Sequence, residues 1–351
     1  MSIASWAQNK SGEENMSKTN LTKKDYLGSE EHEEEGRVLL QVVYVIIFIL
    51  GMLGNTAMIF LLKRKRQRRS PSNLLLLHVV ISEMSVLLMN IPFDMVLIIV
   101  NQEWVFGGLM CKVLWPLQTL TLGSFVWILT LLSYHRYRGI VFPLMKKLST
   151  NAVSYLIMIV WFSSLVVVVP YSSFLEYQNG ECIETWDIAV RKSYTLIFFA
   201  FQYAFPLLIT IYCYAKIAVV VRRGQHRVKR HISGSSQAGL RHKSRGLSAI
   251  RTAVLFMATF AVCMLPHQVI WLWLEFGEHT HSVKNLLSFA YIFTFTSSFM
   301  NPLVYIFSTP SVRKEFKRKA RAFKRGSSGN SSERRILKKY SLPSSGISTM
   351  M

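Results

Sequence analysis

Four cysteines in 351 residues, at positions 111, 182, 213 and 263, are too few for a disulfide scaffold, and two of them fall inside apolar runs. Charge is scarce as well. Asp, Glu, Lys and Arg together make up 17% of the chain, against roughly 25% in soluble domains. Apolar residues of the AVILMFWYC set reach 51%, and the mean hydropathy is +0.28. A soluble fold of this size would struggle to hide that much apolar surface, and the same numbers exclude disorder and coiled coil. No metal-ligand cluster, phosphate loop or nucleophile with an adjacent base is visible, which makes an enzyme a poor reading. Acids number 19 against 41 Lys and Arg, a formal net charge of +22. That excess could suggest nucleic-acid binding. The basic residues, however, are confined to gaps between long apolar runs, so no nucleic-acid partner is expected.

What is there is a set of seven apolar stretches, at about 38–62, 73–100, 110–135, 150–173, 194–221, 250–274 and 285–308. A helix needs roughly 20 mainly apolar residues to cross the hydrocarbon core. No strand-length alternation competes with these runs, so the expected fold is an all-α membrane protein, a seven-helix bundle over 38–308. Prolines 92, 170, 206, 266 and 302 lie within or at the ends of the runs, where membrane helices tolerate them as kinks.

Most of the Lys and Arg fall in every second gap and after residue 308, beginning with Lys63, Arg64, Lys65, Arg66, Arg68 and Arg69. Most of the acids fall on the opposite side. The positive-inside rule then places the N-terminus outside and the C-terminus in the cytoplasm, and seven spans require opposite ends. Residues 1–37 are polar and read as an extracellular tail with no secretory signal, so the first run is expected to direct insertion. Asn9, Asn15 and Asn20 each open an Asn-x-Ser/Thr pattern and are the expected glycan acceptors. Asn330 opens the same pattern in the inner tail, where it reads as incidental. Over 309–325, Val312, Phe316, Ala320 and Phe323 recur at helical spacing among Lys and Arg, the pattern of an amphipathic helix on an anionic membrane lipid surface. Residues 326–351 read as a disordered cytoplasmic tail with serines open to phosphorylation.

Within the runs, particular residues recur in a definite order. The first holds Gly54 and Asn55, and the second holds Asn73 with the acid Glu83 ten residues later. The third begins at Cys111 and ends His135-Arg136-Tyr137, with Pro143 beyond it. Trp161 lies in the fourth, and Pro206 with Tyr214 in the fifth. Phe260, Cys263 and Pro266 mark the sixth, and the seventh closes on Asn301, Pro302 and Tyr305. In this order, these residues resemble a rhodopsin-like (class A) G-protein-coupled receptor over roughly 37–325.

The resemblance implies a plasma-membrane protein with no cofactor, partnered by an extracellular ligand and a heterotrimeric G protein, with arrestin and receptor kinase at the tail. It implies a disulfide between Cys111 and Cys182, pinning the second outer loop over the bundle mouth, while Cys213 and Cys263 pack within spans. It implies that Arg136 engages the G protein once the sixth span swings out, with Tyr137, Tyr214 and Tyr305 near it. Four positions depart from the pattern. The arginine's usual acidic neighbour is His135; either the resting lock is weakened and basal signalling raised, or other acceptors replace the carboxylate. The usual mid-membrane Asp is Glu83 and the usual Ser in the third run is Phe125, which leaves sodium binding open; Asn55, Ser298 and Asn301 remain to hydrogen-bond the acid. The usual tryptophan of the sixth run is Met264, with Phe260 one turn below.

Ligand class follows from further comparisons within the family. Opsins hold retinal on a lysine that 285–308 lacks, and amine receptors use an Asp where this chain has Gln118. Gln118 looks like peptide receptors. Leu265, Pro266, His267 and Trp271 through Gly277 resemble galanin and allatostatin A receptors. Trp104 to Gly107, with Cys111, Pro116 and Gln118, is similar to neuropeptide Y, RFamide and tachykinin receptors. Asp94, Glu103, Glu176, Glu181, Glu184, Asp187, Glu275 and Glu278 lie at or near the outer ends of spans, an acidic mouth that favours a basic or amidated neuropeptide. The expected pocket residues are Asp94, Gln118, Glu184, Asp187, His267, Gln268, Trp271 and Glu275, with Glu275 facing a ligand arginine. A transporter is disfavoured because no repeat is evident. A receptor-like decoy that binds peptide without activating G proteins is kept open by His135 and Met264.

Overall fold

The computed structural model describes residues 23–64, 70–101, 103–230, 237–277, 281–308 and 313. The glycan acceptors Asn9, Asn15 and Asn20, Glu278, nearly all of the amphipathic stretch 309–325 and the whole of 326–351 lie outside them. Every apolar run is helical: α1 (Lys23–Arg64), α2 (Pro71–Ile99), α3 (Gly107–Val141), α4 (Thr150–Ser173), α5 (Ile188–Phe199) continuing through a π-helical turn (Ala200–Ala204) into α6 (Phe205–Arg230), α7 (Gln237–Phe276) and α8 (His281–Ser308). Among the described residues, six of these spans have the length and apolar composition to cross a membrane, and α8 packs between α7 and α1 to complete the bundle. Large apolar side chains point outward around it: Val262 is 70% exposed and Phe162 68%. In water such a belt would be untenable; in lipid it is the expected outer face.

Local chemistry fixes the helix ends. Ser70 Oγ accepts from the Asn73 N–H at 3.3 Å and Pro71 opens α2, while Ser149 Oγ accepts from the Ala152 N–H at 3.1 Å to start α4. Helix α1 begins at Lys23, well ahead of residue 38, so the segment from Lys23 continues into the first span as one helix. Helices α6 and α7 likewise run beyond the apolar limits at 221 and 250, to Arg230 and from Gln237. The wide turn before Pro206 loosens the backbone at the carbonyl its ring would otherwise strike.

One element was not expected. Residues Leu175–Gln178 (β1) and Glu181–Glu184 (β2) form an antiparallel hairpin, with Tyr177 opposite Cys182 and Gln178 opposite Glu181. Asn179 and Gly180 both have positive φ, 52° and 88°, the pairing that a tight two-residue hairpin loop requires.

Helix α3 runs through the centre, against α2, α4, α6 and α7. Without a hydrophobic drive between helices in lipid, close packing holds them. Gly54 is an example: a Cβ there would sit 3.1 Å from Pro302 Cβ, so only glycine lets α1 approach α8 this closely. A second buried cluster caps one end, where Trp104 meets Trp115 edge-on at 5.0 Å and Phe174 stacks on Trp186 at 4.8 Å.

Candidate functional site

Cys111 at the start of α3 and Cys182 in β2 form a disulfide, which ties the hairpin to the bundle at the same end as the tryptophan cluster. Beside it opens a cavity of about 60 Å³. Its walls include Tyr44 from α1, Asp94 from α2, Gln118 and Leu122 from α3, and Phe198 and Gln202 from the α5 side. His267, Gln268 and Trp271 from α7 and Tyr291 from α8 close it. Gln118 Nε2 donates to Asp94 Oδ1 and to the Met89 carbonyl, both at 3.1 Å. The His267 ring lies 4.6 Å from Tyr291. His267 Nδ1, Gln268 Oε1 and Trp271 Nε1 are buried without a hydrogen-bond partner, an unusual concentration of unspent polar atoms on one helix face.

The structure therefore brings together five of the eight expected pocket residues: Asp94, Gln118, His267, Gln268 and Trp271. It places the other three elsewhere. Glu275, 4% exposed, accepts from Arg191 Nε at 2.9 Å, an ion pair between α7 and α5. The arginine that meets its carboxylate here is the chain's own. Glu184, half-buried, accepts from Tyr171 Oη at 3.1 Å and from Trp186 Nε1 at 2.9 Å, beside the tryptophan cluster. Asp187 caps α5, its Oδ1 accepting from the Ala189 N–H at 2.8 Å. Tyr44, Gln202 and Tyr291 line the cavity without having been anticipated. Gln202 carried a legible signal, a lone amide inside an apolar run, whereas the two tyrosines look like ordinary span residues.

At mid-bundle Glu83 is fully buried and accepts from Asn301 Nδ2. Asn55, expected beside it, instead donates Nδ2 to the carbonyls of Gly51 and Ser298, both at 3.0 Å, and so staples α1 to α8. Phe125 lies edge-on to Phe260 at 6.0 Å, and Tyr203 approaches Phe260 at 6.3 Å while donating to the Ala261 carbonyl at 3.1 Å. Met264 and Phe260 are both wholly buried, one turn apart.

Toward the opposite end, Ser133 Oγ and Tyr214 Oη are 3.2 Å apart, joining α3 to α6. Tyr305 is buried, and Pro266 and Pro302 sit inside α7 and α8. Arg136 Nε and His135 Nδ1 are buried without a hydrogen-bond partner, and among the described residues no carboxylate pairs with Arg136. Tyr137 packs instead on Phe142 at 5.6 Å and Tyr212 at 5.9 Å.

This arrangement agrees with family-level comparison. Residues 54–305 match the model of the 7 transmembrane receptor (rhodopsin family). The chain belongs to the rhodopsin family of seven-transmembrane receptors. The receptor is 29% identical to human galanin receptor type 1 over 291 residues, covering 79% of this chain and 80% of that one. It is 26% identical to rat neuropeptide FF receptor 1 over 342 residues, covering 91% and 78%. Its fold is similar to the crystal structure of squid rhodopsin, with a TM-score of 0.69 and 21% identity over 80% of this chain and 84% of that one. As a member of a receptor family rather than an enzyme family, the receptor has its chemistry in binding and shape change.

Proposed function

We propose that this receptor binds an extracellular peptide in the cavity beside the Cys111–Cys182 disulfide and passes the signal to a heterotrimeric G protein at the Arg136 end. The carrying observation is its similarity, over most of both chains, to receptors named for galanin and neuropeptide FF. The cavity suits that reading. Its mix of aromatic rings, amides and unpartnered polar atoms can match a peptide's own alternation of side chains and amide groups.

The proposed mechanism is a population shift. Ligand bound across α2, α3 and α7 favours the state in which α7 swings outward about Pro266, with Phe260 repacking against Phe125 and Tyr203. Arg136, Tyr137, Tyr214 and Tyr305 then meet the G protein. Asn55, Glu83, Asn301 and Pro302 hold the α1–α2–α8 side as the frame against which α7 moves. Met264, with no aromatic ring to swing, leaves that role to Phe260. Because Arg136 has no carboxylate partner among the described residues, its resting lock is weak, and basal signalling is raised.

In this reading the N-terminus is extracellular and glycosylated at Asn9, Asn15 and Asn20. The C-terminus is cytoplasmic, with 309–325 on membrane lipid and the following serines available to receptor kinase and arrestin. The test is expression in cells carrying broad-coupling G-protein reporters, read first without ligand and then across galanin-like, amidated and basic peptides. A saturable response to one peptide class is expected. Silence to every peptide, with surface expression confirmed, would refute the reading.

A further inference from the structure

Of the described acids that make the mouth negative, only one lines the cavity. Glu275 is spent on Arg191, Glu184 on Tyr171 and Trp186, and Asp187 on the α5 cap. Glu176 accepts from Gln178 at 2.6 Å on the exposed hairpin, and Glu103 and Glu181 are exposed outside the cavity. Asp94 alone faces inward, and among the described residues no cation pairs with it.

We infer that Asp94 and Gln118 form a cation-recognition subsite, which takes a guanidinium or ammonium group of the ligand. Both N–H donors of Gln118 are committed, one to Met89 and one to Asp94 Oδ1, so what Gln118 can offer a ligand is its acceptor Oε1. The carboxylate of Asp94 supplies the charged acceptor. Two acceptors on neighbouring helices, one of them charged, match a donor-only cation with more than one N–H and repel an anion. Tyr44 and Tyr291 line the same cavity, and aromatic rings there add to its tolerance of positive charge. The subsite sits on α2 and α3, whereas the partnerless His267, Gln268 and Trp271 atoms line the cavity from α7. A ligand therefore presents its cation to one wall and its neutral amides to the other.

That the cation belongs to a peptide rests on the function proposed above; that the subsite is anionic does not. The test separates the two. In the full-length receptor, Thr119→Cys places a thiol on the cavity wall, and its labelling by cationic ethylammonium and anionic ethylsulfonate methanethiosulfonates is compared after subtraction of the parent, which carries Cys213 and Cys263. The cation-to-anion rate ratio should fall about ten-fold on adding Asp94→Asn and stay unchanged with Glu275→Gln. In parallel, amidated hexapeptide libraries with one position fixed as Arg, Lys or citrulline are read by G-protein reporters. Arg or Lys should exceed citrulline by at least ten-fold in the parent, Asp94→Asn should erase the difference, and Asp94→Glu should restore part of it.

An unchanged labelling ratio in Asp94→Asn overturns the subsite, whatever the peptides do. A fallen ratio with no preference over citrulline also overturns it, since the charge would then not be used for recognition. A parent silent to every library refutes the peptide reading, and a fallen ratio there sustains the cation subsite for a non-peptide ligand.

Discussion

The Arg191–Glu275 pair offers a sharp energetic test because its two members are buried so unequally. The glutamate side chain is 2% exposed and the arginine side chain 21%. Removing the arginine strands a buried carboxylate, and breaking a buried pair in this way costs about 3–5 kcal/mol. Residual water at Arg191 lowers the expectation for Arg191→Met to about 2–3 kcal/mol. Glu275→Gln leaves an acceptor for Arg191 and an arginine that can turn to solvent, at a cost of about 1 kcal/mol. The double variant has no stranded charge and should also cost about 1 kcal/mol, so the cycle should give a coupling of about 2–3 kcal/mol. At roughly 2–4 °C per kcal/mol, the apparent melting point of detergent-purified receptor should fall by about 4–12 °C in Arg191→Met and recover most of that in the double variant. A double variant melting as low as the sum of the two single losses would refute the argument. The carboxylate would then not depend on Arg191 for its burial.

Other substitutions test separate parts of the structure. His135→Asp gives Arg136 a neighbouring carboxylate and should lower ligand-free reporter output several-fold at equal surface expression; unchanged output would mean another acceptor already does this work. Phe125→Ala removes the ring edge from Phe260 and should lower thermal stability by about 3 kcal/mol, a loss that Phe125→Leu should largely recover. Gly180→Val forces a β-branched residue to a φ of 88° and should loosen the hairpin, read as faster amide exchange at Tyr177 and Cys182, with little effect at the Arg136 end.

The spans were legible because lipid imposes a length and an apolar composition that each run satisfies alone. The hairpin was legible too, in the Asn179-Gly180 pair between short polar and apolar residues, but a reading tuned to twenty-residue runs passes over four-residue strands. Asp187 carried a similar local signal, an aspartate just ahead of a helical stretch, which marks a cap before it marks a binding site. Glu275 is different in kind. Its partner lies 84 residues away on another helix, and no local pattern reveals such a pair. Asn55 shows the same limit at mid-bundle. That it would be buried and bonded was readable, but whether it would choose Glu83 or the Gly51 and Ser298 carbonyls depended on how α1 and α8 meet at Gly54.

The separation of the acids into exposed and enclosed groups has a kinetic meaning. Glu103, Glu176 and Glu181 stand in solvent at the mouth, where ions screen them within about 10 Å at ordinary salt. They act on a positively charged visitor while it is still diffusing, so removing them should slow capture and flatten its salt dependence without changing how long the visitor stays. Asp94 lies where salt reaches poorly, and its removal should shorten residence at every ionic strength. The receptor would thus tune how quickly it hears a signal and how long it keeps listening through different carboxylates, and each could change without disturbing the other.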